Sequence, residues 1–386
     1  MRTSFPDDPS LPGLHRLCEA DLARITGATP VKVLRLRHHP GLRAALHVAV
    51  ETGRGLQQGV IWFLSPAKLS HLQETRAHLR VDPDRSAIFE VFPMDHRLPE
   101  LAAFLQDSQA LAPILIGATA RAAPQLVRYR PGLSATFRWV SDAGLPHFVK
   151  VARKMDSQAH AALQNHLRQQ SEGSMLALPE VTGCLGDRGI IAYAAATGET
   201  LEDLLASGDG AVIADAVSRC NEALRVLWSC DTPDLPGLEV EDYLRSARRA
   251  AAFVAEADRQ AGTVSDAIIA RCEATPPKLR QVPIHADLKP DHLFVEPSRV
   301  TMIDTESIKR GDPDFDLALL DARLDLGPTL GTFPEASVLS ARRVLLEATG
   351  PNTAWFQGLA RIHAAKFLAQ NAGSAATESI RKVLSP

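Results

Sequence analysis

The sequence predicts an α+β fold of two lobes, an antiparallel-sheet lobe followed by a mostly helical one, with an additional α+β region at the N-terminus. Three observations predict it. Short alternating runs cut by Pro-Gly and polar turns crowd residues 126–151. From Ala211 onward apolar residues recur at helical spacing. Between His285 and Asp304 two short apolar runs interrupt the helices, and each is flanked by an acidic side chain. The boundaries expected from this pattern are 1–112 for the extension, 113–196 for the sheet lobe and 197–386 for the helical lobe.

A chain of 386 residues, 45% hydrophobic and 23% charged, is long enough for two or three domains and a substantial buried core. Its 42 basic and 45 acidic side chains leave a formal net charge of −3 with no long basic stretch, which argues against nucleic acid as a partner. The five cysteines (Cys18, Cys184, Cys220, Cys230 and Cys272) are odd in number and lack paired metal spacing. They predict reduced thiols in a cytoplasmic protein. No apolar run reaches the length of a membrane span, and Met1 to Pro12 is polar and proline-rich, unlike a signal peptide.

In chain order, Leu34 to Val50 reads as an arginine-rich hairpin turning at Pro40-Gly41-Leu42. A third strand follows at Gly59 to Leu64, then a strand at Ile88 to Pro93 and a helix at Leu98 to Leu105. The series then returns. Leu126 to Val140 is a hairpin turning at Pro131 and Gly132, Ser141 to Pro146 turns again, and His147 to Val151 is a third strand carrying Lys150. A helix is expected at Ser157 to Gln170, an apolar strand at Gly189 to Ala195, and a helix opening near Thr200, whose hydroxyl is placed as a cap. The two hairpins share an Arg-x-Arg pair (Arg35 and Arg37; Arg128 and Arg130), Pro-Gly-Leu and a following Ala, with His38 and His39 inserted in the first. Trp62 stands where Lys150 falls in the second series. This reads as a duplicated sheet unit, against the competing reading of coincidence between two arginine-rich hairpins. Further helices are expected at Ala211 to Trp228, Tyr243 to Ala261, Ser265 to Cys272, Asp314 to Leu324, Pro334 to Ala348 and Thr353 to Gln370.

The segment HADLKPDHLFV, His285 to Val295, carries the chemistry. Asp287 lies on a loop, His292 follows five positions later, and Leu293 to Val295 forms a short strand. After a turn at Glu296 to Ser298, a second strand from Val300 ends on Asp304. Phosphoryl transfer uses such a layout. One Asp takes or orients the proton of the attacking hydroxyl, and a second binds the Mg²⁺ that bridges the nucleotide phosphates. Positioning and electrostatic stabilisation do most of the work.

At these residues the chain resembles the aminoglycoside phosphotransferase and choline kinase-like family. His285, Ala286 and Asp287 answer its His-Gly-Asp loop. Ile303 and Asp304 answer its Ile-Asp strand end, and Gly311 to Ala318 match its Gly-Asp-Pro-x-x-Asp-Leu-Ala helix start in full. The resemblance implies a bilobal protein-kinase-like fold and transfer of a phosphoryl group from ATP or GTP to a hydroxyl of a small molecule such as an aminoglycoside, sugar or amino alcohol. It implies Asp287 as catalytic base or orienter, Asp304 with His292 as ligands of Mg²⁺ or Mn²⁺, and Lys150 as phosphate anchor. Gly132, Leu133 and Ser134 would cover the phosphates. Tyr193, Ala194 and Ala195 would line the adenine at the hinge between lobes. Asp312 and Asp316 are expected to be structural, with Asp316 capping or bracing the catalytic loop. The extension, lacking the lysine, would not bind ATP by itself; it would dock on the kinase, close over substrate or mediate an oligomer.

The chain departs from the family in three places. Ala286 replaces Gly, a mild change if its backbone stays at negative φ. His292 replaces Asn, offering imidazole nitrogen where a hard cation prefers oxygen. His292 would serve Mg²⁺ poorly, accept Mn²⁺, contact phosphate or only brace the loop. The helix at Ser157 to Gln170 holds no Glu to pair with Lys150, leaving Gln158, Gln164 and His166 as polar candidates. These departures keep a second reading open, a pseudokinase or a nucleotide- or ligand-binding regulatory protein without transfer.

Overall fold

Two arginine-rich hairpins organise the first half of the chain, and each begins a five-stranded sheet. The protein's structure, a computed structural model, describes residues 5, 8–39, 41–53, 55–75, 79–232, 234–372 and 376–385. The polar start read at Met1 to Pro12 lies partly outside the described residues. The first series is α1 (Glu19–Thr26), β1 (Val31–His39), β2 (Arg43–Thr52), β3 (Gly55–Leu64), α2 (Pro66–Thr75), β4 (Arg80–Asp82), β5 (Ala87–Val91), α3 (Glu100–Gln106) and α4 (Ser108–Leu115). The second is β6 (Gln125–Arg130), β7 (Ser134–Val140), β8 (Pro146–Ala152), α5 (Ser157–Gln170), β9 (Leu176–Ala177), β10 (Val181–Leu185) and β11 (Ile190–Ala194). Then come β12 (Glu199–Thr200), α6 (Leu201–Ser207), α7 (Gly210–Ser229), α8 (Val240–Ala257), α9 (Arg259–Ala274), β13 (Val282–Ile284), β14 (Leu293–Glu296), β15 (Arg299–Met302) and β16 (Lys309–Gly311). The chain closes with α10 (Pro313–Leu324), α11 (Leu326–Leu330), α12 (Glu335–Leu345), α13 (Thr353–Ala372) and α14 (Thr377–Leu384).

The two sheets have the same strand order, β1-β2-β3-β5-β4 in the first and β6-β7-β8-β11-β10 in the second. In each, a three-strand meander is followed by a helix, α2 or α5, before the remaining strands. Register aligns them further. Ala45 pairs with Trp62 across β2 and β3, and Thr136 pairs with Lys150 across β7 and β8. Ala45 and Thr136 each lie two residues beyond Arg43 and Ser134, the residues that follow Pro-Gly-Leu in the two hairpins. Trp62 thus holds in the first sheet the position of Lys150 in the second.

By packing, the chain divides into two compact units. One comprises Met1–Ser157, Thr182–Ala192 and Gln370–Ala375, and the other Gln158–Val181, Tyr193–Ala369 and Ala376–Pro386. Both five-stranded sheets belong mainly to the first. There, strand periodicity sends Ala135, Phe137, Trp139, Val149 and Val151 to one buried face, which Leu101, Phe104, Leu111 and Leu115 of α3 and α4 cover. The Phe104 ring lies 5.2 Å from Phe137 and 5.8 Å from Trp139, contacts worth about 0.5–1.5 kcal/mol each beyond their area. On β8 the residues between these, Phe148 and Lys150, stay only partly buried.

The second unit is helical around two small sheets, β12-β14-β15-β9 and β13-β16. Apart from α11 and α14, which are not among the helices expected from the sequence, its helices lie close to the expected spans, with one correction. The helix read at Tyr243 to Ala261 is broken at Asp258, whose carboxylate caps α9 by accepting the N–H groups of Gln260 and Ala261. Apolar spacing continues across the break, so periodicity alone runs the two helices together, and an Asp cap with no neighbouring Gly or Pro ends the first. Thr200 caps α6 as expected, its hydroxyl accepting the Asp203 N–H at 3.0 Å. Among the described residues no helix is long and apolar enough to cross a membrane. All five cysteines are free thiols.

Candidate active site

The loop after β13 is held by two buried groups. The His285 ring places Nε2 2.9 Å from the Ile303 carbonyl and Nδ1 3.3 Å from the Asp287 N–H. A carbonyl accepts and an N–H donates, so Nε2 carries the proton and Nδ1 the lone pair. The imidazole thereby ties the Asp287 loop to the strand end that precedes Asp304. Asp316, in the first turn of α10 and fully buried, accepts the His285 and Ala286 N–H groups, each at 2.8 Å. Burial pushes its carboxyl upward, opposed by the adjacent His285 and these two N–H groups. Asp312 caps α10 through the Asp314 N–H and accepts the Arg280 N–H at 2.9 Å. Both acids thus brace backbone N–H groups, the kind of role expected of Asp316 from the sequence.

Turning two successive N–H groups onto one carboxylate places Ala286 at φ 61°. The condition of negative φ, under which the replacement of Gly would be mild, is not met. The family's Gly would adopt this left-handed region without penalty, whereas an L-residue costs about 1–2 kcal/mol. Asp304 also lies in this region, at φ 60°.

Asp287 is half exposed, and Lys289 Nζ lies 2.7 Å from its carboxylate. Lys289 Nζ is also 3.4 Å from His292 Nε2. His292, almost fully buried, presents Nε2 3.5 Å from Asp304 Oδ2 and 3.9 Å from Asp291 Oδ1. The Ile303 N–H donates to the His292 carbonyl at 3.0 Å, locking the two segments together. Two donors at neighbouring corners of an octahedral site of 2.0–2.1 Å bonds lie about 3 Å apart. The His292 and Asp304 pair therefore fits one divalent cation with a small adjustment, as a mixed nitrogen and oxygen set that suits Mn²⁺ better than Mg²⁺.

Two second-unit side chains with no local signal in the sequence feel the Asp287 charge. Arg323 of α10 feels the charges of Asp287 and Asp291, although burial pulls its guanidinium pKa down. His363 of α13 is held at a pKa of about 4 by burial and by the Lys366 and Arg323 charges, with Asp287 acting the other way. Both arrive through helix packing, so no motif could have announced them. Lys289 was legible in principle, being two residues after Asp287 in the same segment.

Other expected site residues fall as follows. In the second unit, the Tyr193 hydroxyl is 3.4 Å from Glu306, and the Ala194 N–H donates to the Glu180 carbonyl at 2.9 Å. Ala195 follows, partly buried. Among the polar candidates on α5, Gln164 donates to the Pro179 carbonyl and accepts from the Thr305 hydroxyl, while His166 contacts the Asp231 carbonyl. In the first unit, Lys150 shares a sheet face with Thr136. Gly132, at φ 68°, donates its N–H to Asp95 Oδ2 at 2.6 Å, and the Leu133 N–H goes to the Arg130 carbonyl at 2.9 Å. Ser134 is buried where β7 begins. The turn's amides at Gly132 and Leu133 are thus engaged by protein acceptors.

A family model described as the phosphotransferase enzyme family matches residues 67–357, well over half the chain. The chain belongs to this family. No curated protein matches it by sequence. Among solved structures, a thermostable mutant of aminoglycoside phosphotransferase APH(4)-Ia, in ternary complex with ADP and hygromycin B, is similar at 12% identity and TM-score 0.51, covering 72% of this chain and 98% of that one. Amicoumacin kinase hAmiN, in complex with AMP-PNP, Ca²⁺ and Ami, is similar at 11% identity and TM-score 0.50, covering 74% and 95%. Macrolide 2'-phosphotransferase MphH from Brachybacterium faecium is 17% identical at TM-score 0.45, covering 74% and 98%. At these identities the first two speak for the fold alone, and that is the bilobal protein-kinase-like fold expected from the family's motifs.

Proposed function

We propose that this phosphotransferase moves the γ-phosphoryl group of ATP, or GTP, to a hydroxyl of a small molecule such as an aminoglycoside, sugar or amino alcohol. The observation that carries the reading is the single interlocked site of Asp287, His292 and Asp304, tied together by His285 and braced by Asp316. Asp287 would accept or orient the proton of the attacking hydroxyl. Lys289, 2.7 Å away, fixes that carboxylate and brings a positive charge to the side where phosphate charge gathers. Asp304 and His292 would hold a divalent cation, Mg²⁺ or Mn²⁺, which when bound neutralises charge on the nucleotide phosphates. To ligate it, His292 must present Nε2 deprotonated.

Lys150 would anchor the phosphates from the β8 face it shares with Thr136. Because the Gly132 and Leu133 N–H groups are engaged, the turn would act through the Ser134 side chain and neighbouring arginines more than through a backbone cradle. At the hinge, Tyr193, Ala194 and Ala195 would line the base. The Ala194 N–H is taken by the Glu180 carbonyl, so adenine would be met by other groups of this segment. The first sheet would be a second copy of the small lobe without the lysine anchor, because Trp62 fills the lysine position.

The test is ATP consumption across a panel of hydroxylated small molecules, with Mg²⁺ and with Mn²⁺, for the wild type and for Asp304→Asn. Acceptor-dependent consumption that the variant loses supports the reading. Nucleotide-induced thermal stabilisation with no turnover on any acceptor would identify a binding protein instead.

A further inference from the structure

Arginines converge on the turn between β6 and β7 in numbers the composition does not require, since the whole chain is formally −3. Arg37 Nη1 donates to the Pro131 carbonyl at 3.1 Å. Arg97 packs against Gly132, where an added Cβ would lie 3.1 Å from its Cδ and Nε. Its guanidinium carbon stands 5.7 Å from the centre of the Trp62 ring. The Arg153 N–H donates to the Leu133 carbonyl at 2.8 Å, and Arg130 opens the turn. Arg35 and Arg37 on β1 and Arg43 on β2 share one sheet face, because their cross-strand partners are His47, Ala45 and His39.

These side chains repel one another. Arg37 is held at a pKa of about 10 by burial and by Arg130, Arg35, Arg43 and Arg97. Arg97 is likewise at about 10, through burial and then Arg43 and Arg153, with the Asp95 charge acting the other way. Among the described residues none of the six makes an ion pair with a carboxylate. Asp95, whose charge reaches Arg97, is buried and accepts from the Tyr129 hydroxyl and the Gly132 and Arg97 N–H groups. The Nε atoms of Arg35 and Arg130 are buried without a partner. Partly buried guanidinium groups of one sign, with unfilled donors, focus a field that an anion relieves, and the guanidinium fork matches phosphate geometry.

We propose that Arg35, Arg37, Arg43, Arg97, Arg130 and Arg153 form a binding site for a phosphate group, built largely from the N-terminal extension around a turn whose own amides are engaged. The phosphate could belong to the nucleotide's chain or to a separate phosphorylated molecule, and the chemistry recognised is the same.

The experiment titrates inorganic pyrophosphate into the full chain by calorimetry, without divalent cation and at matched ionic strength, so that it does not depend on turnover. The wild type binds, and the double variant Arg37→Gln with Arg97→Gln weakens binding at least tenfold while losing the pyrophosphate-induced rise in melting temperature. Relief of repulsion keeps that variant's own melting temperature at or above the wild-type value. If it does not fold, Arg43→Gln, on a partly exposed residue, serves instead, with at least threefold weakening. Absence of pyrophosphate binding to the wild type, or unchanged affinity in a folded arginine variant, overturns the proposal. Repeating the titration with AMP-PNP at saturation distinguishes the sources. Lost pyrophosphate binding assigns the site to the nucleotide's phosphates, and retained binding assigns it to a second ligand.

Discussion

Asp316→Asn tests the brace under the catalytic loop. Each Asp316 oxygen accepts one N–H at 2.8 Å, from His285 and from Ala286. An asparagine keeps one acceptor and turns an NH₂ donor toward the other N–H, so one charge-assisted bond is lost and one buried donor is left unsatisfied. A hydrogen bond to a charged group contributes about 1.5–3 kcal/mol and an orphaned buried donor costs about 1–3 kcal/mol, which together set the loss near 3 kcal/mol. At roughly 2–4 °C per kcal/mol for a unit of this size, the melting temperature falls by about 6–12 °C. The loop also loses what holds Ala286 in a strained backbone, so Asp287 shifts and turnover falls more than nucleotide affinity does. Differential scanning fluorimetry and steady-state kinetics on one preparation read both effects. A variant within 2 °C of the wild type, about the shift of a single weak bond, and with the same turnover number would refute the claim that this carboxylate holds the loop.

Three further outcomes follow. Ala286→Gly relieves the left-handed strain, worth about 1–2 kcal/mol, against a glycine entropy cost of about 0.5–1 kcal/mol, so its urea midpoint rises slightly, and a lower midpoint would show that φ 61° is not strained here. Gly132→Ala puts a Cβ 2.5 Å from the Trp62 ring at φ +68°, and overpacking together with strain lowers stability by about 2–4 kcal/mol in chemical denaturation. His363 has a folded pKa near 4, below its ordinary value, so between pH 6.5 and 4 the unfolded chain binds a proton the native one refuses. Stability falls as pH drops through that window by up to about 1.4 kcal/mol per unit, and His363→Gln flattens the slope in pH-dependent unfolding.

The parts of the molecule legible in the sequence are those where one residue type has one local meaning. Pro131-Gly132 marks a hairpin because Gly accepts φ 68°, and Asp312-Pro313 announces the start of α10 because a carboxylate cap followed by proline at the first helical position suits little else. The echo between hairpins was visible in Pro-Gly-Leu, and the shared strand order and the register of Trp62 against Lys150 agree with it. What stayed hidden depends on groups far apart in the chain. Arg323 and His363 feel the Asp287 charge only through the packing of α10 and α13, and Asp95 reaches the Gly132 amide from the segment between β5 and α3. The φ of Ala286 could not be read from the sequence, because its N–H is turned onto Asp316, thirty residues on.

The central claim is that Asp287 serves the chemical step of phosphoryl transfer. Single-turnover transfer from γ-labelled ATP, with enzyme in excess and an acceptor found active in the panel, isolates that step from binding and product release. Asp287→Asn should slow it by roughly 10²–10⁴-fold while ATP affinity stays within about threefold. An unchanged single-turnover rate in that variant would contradict the account.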